Sequence, residues 1–171
     1  MFLSDCFKEE DMRKPYFISI SLFVTLAILI LDQVTKAFIS KTMSVGDSYS
    51  VIPGFLNITS HRNTGAAWGI LSGKMSFFFI VTIIVLGLLI FFYIKEAKGN
   101  FWMQVAISLL FAGALGNFID RMRNGEVVDF IDTYIFGYDF PIFNVADASL
   151  TVGVILILIL IIFDSKKSKV K

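Results

Sequence analysis

The stretch PIFNVADASLTVGVILILILIIF (141–163) decides the fold. A polar entry, Asn144 to Asp147, leads into an almost unbroken hydrocarbon run. A helix crossing a bilayer needs about 20 predominantly apolar residues, and 145–163 supplies them. Asn144 suits the N-cap of that helix. Asp147 then falls at the third helical position, where the positive end of the helix dipole favours a carboxylate. Taken alone, such an aspartate is ordinary.

Three further segments meet the same requirement, at about 16–39, 75–94 and 101–119. The composition agrees. Hydrophobic residues make up 56% of the 171-residue chain and charged residues only 17%, against about 25% in soluble domains. The mean hydropathy is +0.77. Lipid offers no partners for open backbone groups, so spanning segments are helical. The expected fold is an all-α membrane protein with four transmembrane helices, forming a single integral membrane domain over 1–171.

The net charge of +1 gives no reason to expect nucleic acid. Cys6 is the only cysteine and His61 the only histidine, which excludes an intrachain disulfide and argues against a zinc site. No metal or cofactor is expected. The first apolar run is too long for a secretory signal and no small-residue cleavage site follows it. LSDC at 3–6 lacks the preceding apolar run of a lipidation signal.

Lys and Arg set the orientation. Lys8, Arg13, Lys14, Lys95, Lys98, Lys166, Lys167, Lys169 and Lys171 fall on one side, all on short segments. Tails 1–15 and 164–171 are therefore expected in the cytoplasm, and loops 40–74 and 120–144 outside. These loops are too long to be plain linkers. SYSVI-PG-FLNIT reads as two strands, 48–52 and 55–59, around a Pro-Gly turn. TYIFGYDFPIF (133–143) is dense in aromatics suited to a lipid–water boundary, with a bend expected at Gly137. In NTGAAWGI (63–70), Asn63 and Gly65 suit a tight turn and Trp68 an interfacial anchor.

Ionisable groups inside membrane spans are rare and usually paired or functional. Asp32 and Lys36 share a helical face at i, i+4. They read either as a structural couple, with Lys36 snorkelling outward, or as a device orienting an active-site neighbour. Gly113 and Gly116 permit close helix approach. Asn117 and Arg121 share a face at the outer end of the third helix, whereas Asp120 points away from Arg121. Gly125 ends that helix. Asp129 lies among Val127, Val128, Phe130 and Ile131, where lost hydration raises a carboxyl pKa. Asp132 is expected in solvent.

Topology connects these observations. Asp129 follows the third span and Asp147 begins the fourth, so both lie at one membrane boundary. Two carboxyls close together share a proton. Such a pair can take a proton from water and give one to a carbonyl, as hydrolysis requires.

Asp32-x-x-x-Lys36, Asn63-x-Gly-Ala-Ala67, Gly116-Asn-x-x-Asp-Arg121, Val127-Val-Asp-Phe130 and Phe143-Asn-x-Ala-Asp147 occur in that order. Together with four spans, over roughly 16–163, they resemble lipoprotein signal peptidase (signal peptidase II). The resemblance implies an aspartic endopeptidase of the bacterial cytoplasmic membrane. Its substrate would be a diacylglyceryl-modified prolipoprotein, cut just before the lipidated cysteine and met within the lipid bilayer. It implies a dyad of Asp129 and Asp147, with Asn63, Gly65, Asn117, Arg121, Asn144 and Ala146 in support. Asp32, Lys36 and Asp120 would be structural. It also implies an extracytoplasmic β-cradle, a lid over 132–143 and inhibition by globomycin. Nothing demands more than a monomer. Two rival readings are a small proton-coupled transporter, which lacks the expected internal repeat, and a Ser149–Lys36 peptidase, in which Asp32 would keep the lysine charged.

Overall fold

A computed structural model describes residues 15–65 and 71–168. The N-terminal arm with Cys6, the segment with Ala66, Ala67 and Trp68, and the last lysines lie outside the described residues.

Four helices are long and apolar enough to cross a membrane. They are α1 (Ile18–Thr42), α2 (Met75–Glu96), α3 (Phe101–Asn124) and α4 (Val145–Ser168). All four expected spans are present. The third continues past its apolar run, to Asn124. Its ends follow local chemistry. Asn100 caps the start, its Oδ1 accepting the Met103 N–H at 3.1 Å. Gly125 closes the other end in the left-handed region at φ 73°, where glycine carries no Cβ penalty.

The helix α3 is the least apolar span, with a mean hydropathy of 1.6, and it lies at the centre of the bundle against the other three. The most apolar, α2, at 3.0, buries no residue and is a lipid-facing helix. Contact of α3 with α4 and with α1 depends on small residues. A Cβ on Gly113 would stand 2.5 Å from the Ala146 carbonyl oxygen, and one on Gly116 would stand 2.6 Å from Asp32 Oδ2. Neither position has room for a side chain.

Four antiparallel strands sit at one end of the bundle, in the order β1 (Ser48–Ile52), β2 (Leu56–Asn63), β3 (Val127–Ile135) and β4 (Tyr138–Asp139). The expected 48–59 hairpin is present, and its second strand extends to Asn63 because β3 pairs along it. A bulge between Ile58 and His61 sets His61 opposite Asp129 and Asn63 opposite Val127. Ile39 of α1 packs with Val128 and Phe130 of β3, fixing the sheet to the bundle. The 132–143 segment comprises the end of β3, a tight turn and β4. Phe136 and Gly137 form the turn with φ of 51° and 81°, the two positive values of a type I′ hairpin.

Two sequence expectations are corrected. Lys36 does not snorkel outward: it is 2% exposed, held by three partners inside the bundle. Asp132 is not solvated: it is buried and accepts the Thr59 hydroxyl at 2.6 Å, because β2 places Thr59 alongside it.

Candidate active site

The site is built at the sheet end of the bundle, where α4 starts. Asn144 caps α4 through its Oδ1, which accepts the Asp147 N–H at 2.9 Å. Asp147 Oδ2 accepts the Asn144 N–H in return at 3.2 Å, a reciprocal capping box. Asn144 is fully buried and reaches further than its own helix. Its Nδ2 donates to Asp129 Oδ1 at 2.6 Å and to Asn117 Oδ1 at 3.1 Å. One asparagine therefore holds both Asp129 on β3 and Asp147 on α4.

Each carboxylate has a second donor. Asn63 Nδ2 donates to Asp129 Oδ2 at 3.0 Å, and Asn117 Nδ2 donates to Asp147 Oδ1 at 2.7 Å. Asn63 also accepts the Gly65 N–H at 2.9 Å, forming the turn after β2. Asp129 is 1% exposed. Burial, and then the neighbouring Asp147 charge, push its pKa up from the ordinary carboxylate value to about 7, against the opposing hydrogen bonds from Asn63 and Asn144.

Behind this pair lies a charged cluster joining α1 to α3. Lys36 Nζ lies 2.8 Å from Asp32 Oδ2 and 3.0 Å from Asp120 Oδ2, and it donates to Asn117 Oδ1 at 2.9 Å. Gln33, which sequence reasoning passed over, donates to Asp120 Oδ1 at 3.0 Å. With Lys36 and Asn144 both donating to its oxygen, the Asn117 amide can only turn its NH2 towards Asp147. Asp32 Oδ1 accepts the Ala146 N–H at 2.9 Å, so α1 caps α4 from outside. The serine alternative finds no partner here: Ser149 Oγ donates to the Ala146 and Leu109 carbonyls, while Lys36 is fully engaged elsewhere.

Asp129 and Asp147 both line a cavity of about 770 Å³ whose walls are mostly apolar, including Phe78, Val127, Ile135, Leu150 and Val152. Arg121 borders it, donating to the Gly65 carbonyl at 3.0 Å and lying 4.7 Å from the centre of the Phe78 ring. Two buried polar atoms of cavity-lining residues, Arg121 Nε and Thr133 Oγ1, have no hydrogen-bond partner among the described residues. Buried donors are rarely left so. Thr133 escaped the sequence reading because a threonine in a strand gives no signal of its own. No three His, Cys, Asp or Glu side chains among the described residues converge as metal ligands.

The family described as Signal peptidase (SPase) II matches residues 24–163. The chain belongs to the signal peptidase II family. It is 80% identical over 159 residues to a lipoprotein signal peptidase of Staphylococcus carnosus, covering 93% of this chain and all of that one. It is 67% identical over 160 residues to one of Staphylococcus aureus, covering 94% and 98%. A solved structure described as a bacterial membrane enzyme shares 67% identity at a TM-score of 0.88, over 92% of this chain and 96% of that one. A second, described likewise, shares 70% identity at a TM-score of 0.81, over 86% and 96%. A signal peptidase II is an aspartic peptidase that cleaves signal peptides, and this chain is a multi-pass membrane enzyme of that kind. The transporter alternative finds no support.

Proposed function

We propose that Asp129 and Asp147 are the catalytic dyad, and that the enzyme cuts a diacylglyceryl-modified prolipoprotein just before its lipidated cysteine. The observation that carries this reading is Asn144, which ties both carboxyls to the wall of one cavity. The pair holds one proton. The ionised carboxylate takes a proton from a water molecule as the water oxygen attacks the scissile carbonyl carbon. The protonated partner donates to the carbonyl oxygen. Collapse of the tetrahedral species breaks the C–N bond, and a proton passes from the dyad to the leaving amine. The shared proton belongs to the pair, so the base is not one fixed residue.

The unpartnered Arg121 Nε–H and Thr133 hydroxyl offer donors to substrate carbonyls. Asn117 does not share that task, since its amide is spent on Asp147, Lys36 and Asn144. The apolar cavity suits the signal helix and the acyl chains. The distribution of basic residues supports cytoplasmic termini, with the dyad at the extracytoplasmic boundary of the bacterial cytoplasmic membrane. The 132–143 hairpin serves as the lid, the enzyme works as a monomer, and globomycin occupies the dyad cavity.

Asp129→Asn and Asp147→Asn should each lower turnover of a lipidated precursor by at least about 10²–10⁴-fold while the thermal melt still shows a folded protein. Near-normal cleavage by either variant overturns the dyad. Ser149→Ala should retain turnover; its complete loss would overturn the dyad in favour of serine chemistry.

A further inference from the structure

A second cavity, of about 580 Å³, opens beside the first. The two share Asn63, Phe140, Pro141 and Ile142 as a common wall. Their linings differ in kind. Strand β3 gives Val127, Asp129, Thr133 and Ile135 to the apolar cavity, but Asp132 and Tyr134 to the second. The second is completed by His61, Arg62 and Thr64 of the β2 end and by Asp139 of β4. Its charges are mixed. Arg62 pairs with Glu126 at 3.5 Å and Asp132 accepts from Thr59, while His61 and Asp139 are exposed. A wall of both signs favours an uncharged polar chain rather than an ion.

The junction between the cavities is Asn63, whose amide donates to Asp129 at 3.0 Å. A chain crossing the dyad there passes at once from apolar to polar surroundings. A lipoprotein precursor has the same step in its own sequence: signal helix and acyl chains before and at the cut, water-soluble polypeptide after it. We propose that the second cavity binds the first residues of the mature polypeptide, those just beyond the lipidated cysteine, as an extended polar segment. This inference rests on the dyad reading above. His61 and Tyr134 are then specificity determinants on the leaving side of the bond. They raise the affinity for longer substrates without touching the reacting atoms.

The test uses two lipidated precursors, one ending at the cysteine as an amide and one continuing through several Ser and Gly residues. The wild-type enzyme should show a kcat/KM several-fold higher on the longer precursor, chiefly through KM. His61→Ala, at an exposed position outside the lid hairpin, should erase most of that advantage and leave the short precursor unchanged. His61→Gln, which keeps a polar side chain at that position, should retain part of it. Equal kcat/KM on both precursors in the wild type, or a proportional loss on both in the variants, overturns the proposal. Asp129→Asn is the separate control. Silence on both precursors keeps the dyad; activity on either removes the dyad whatever the length effect.

Discussion

Two buried polar clusters sit at opposite ends of the helix bundle, and they solve opposite problems. At the end away from the sheet, Gln104 is 1% exposed and fully satisfied. Its Nε2 donates to the Ala97 carbonyl at 2.9 Å, and its Oε1 accepts the Phe17 N–H at 2.6 Å and the Tyr93 hydroxyl at 3.0 Å. Ser21 joins through Tyr93 at 2.8 Å. That cluster is neutral and closed, and it pins α1, α2 and α3 together. At the sheet end, Asp32, Lys36, Asp120, Asp129 and Asp147 are all charged or chargeable, and two donors there are unspent. A satisfied network fixes structure, whereas an incompletely satisfied one beside a cavity leaves groups free to meet a substrate.

Removing one member of each cluster is the strongest way to break that contrast. Lys36→Met leaves Asp32 and Asp120 buried without their cation. It should cost about 3–5 kcal/mol of stability and lower turnover, because Asn117 loses the contact that aims its amide. Gln104→Leu should cost less, about 1–3 kcal/mol, with kcat unchanged per folded molecule. Thermal melts with parallel kinetics in one detergent separate the two; loss of kcat in Gln104→Leu would erase the distinction.

The pH response sharpens the comparison next. The folded state keeps a proton on Asp129 up to about pH 7, whereas an ordinary carboxyl loses it near 3.8. Folded protein thus binds more protons than unfolded across that interval, and stability declines as pH rises through it. The Tm should fall between about pH 4 and 7, and Asp129→Asn should flatten that slope. Turnover should decline above about pH 7 as the pair loses its shared proton. An unchanged slope in the variant would remove Asp129 as its source. The smallest effect belongs to Thr133→Val, which removes an unpartnered donor. KM should rise a few-fold while kcat and Tm hold, as steady-state kinetics will show; a large drop in Tm would mean the hydroxyl is structural.

The four spans, the hairpin and the convergence of Asp129 with Asp147 were legible because each follows from local chemistry plus chain direction. Apolar length gives the spans, and their alternation brings two boundary aspartates to one end. The dependence of both carboxyls on Asn144 was only half visible. Its capping role is local, but its reach to Asp129 depends on where β3 docks. Lys36 was misread for a similar reason: two of its three partners, Asn117 and Asp120, come from α3, far along the chain. Gln104 carried a signal that could have been used, an amide near the start of a membrane span.

The bond from Ala146 N–H to Asp32 Oδ1 joins residues 114 positions apart, the first span to the last. Asp147 sits one residue beyond that bond, so the proposed dyad is incomplete until the final helix has met the first. A nascent chain emerging with three helices inserted already carries Asp129 but has no partner for it. With that dyad, proteolytic competence arrives only with topological completion.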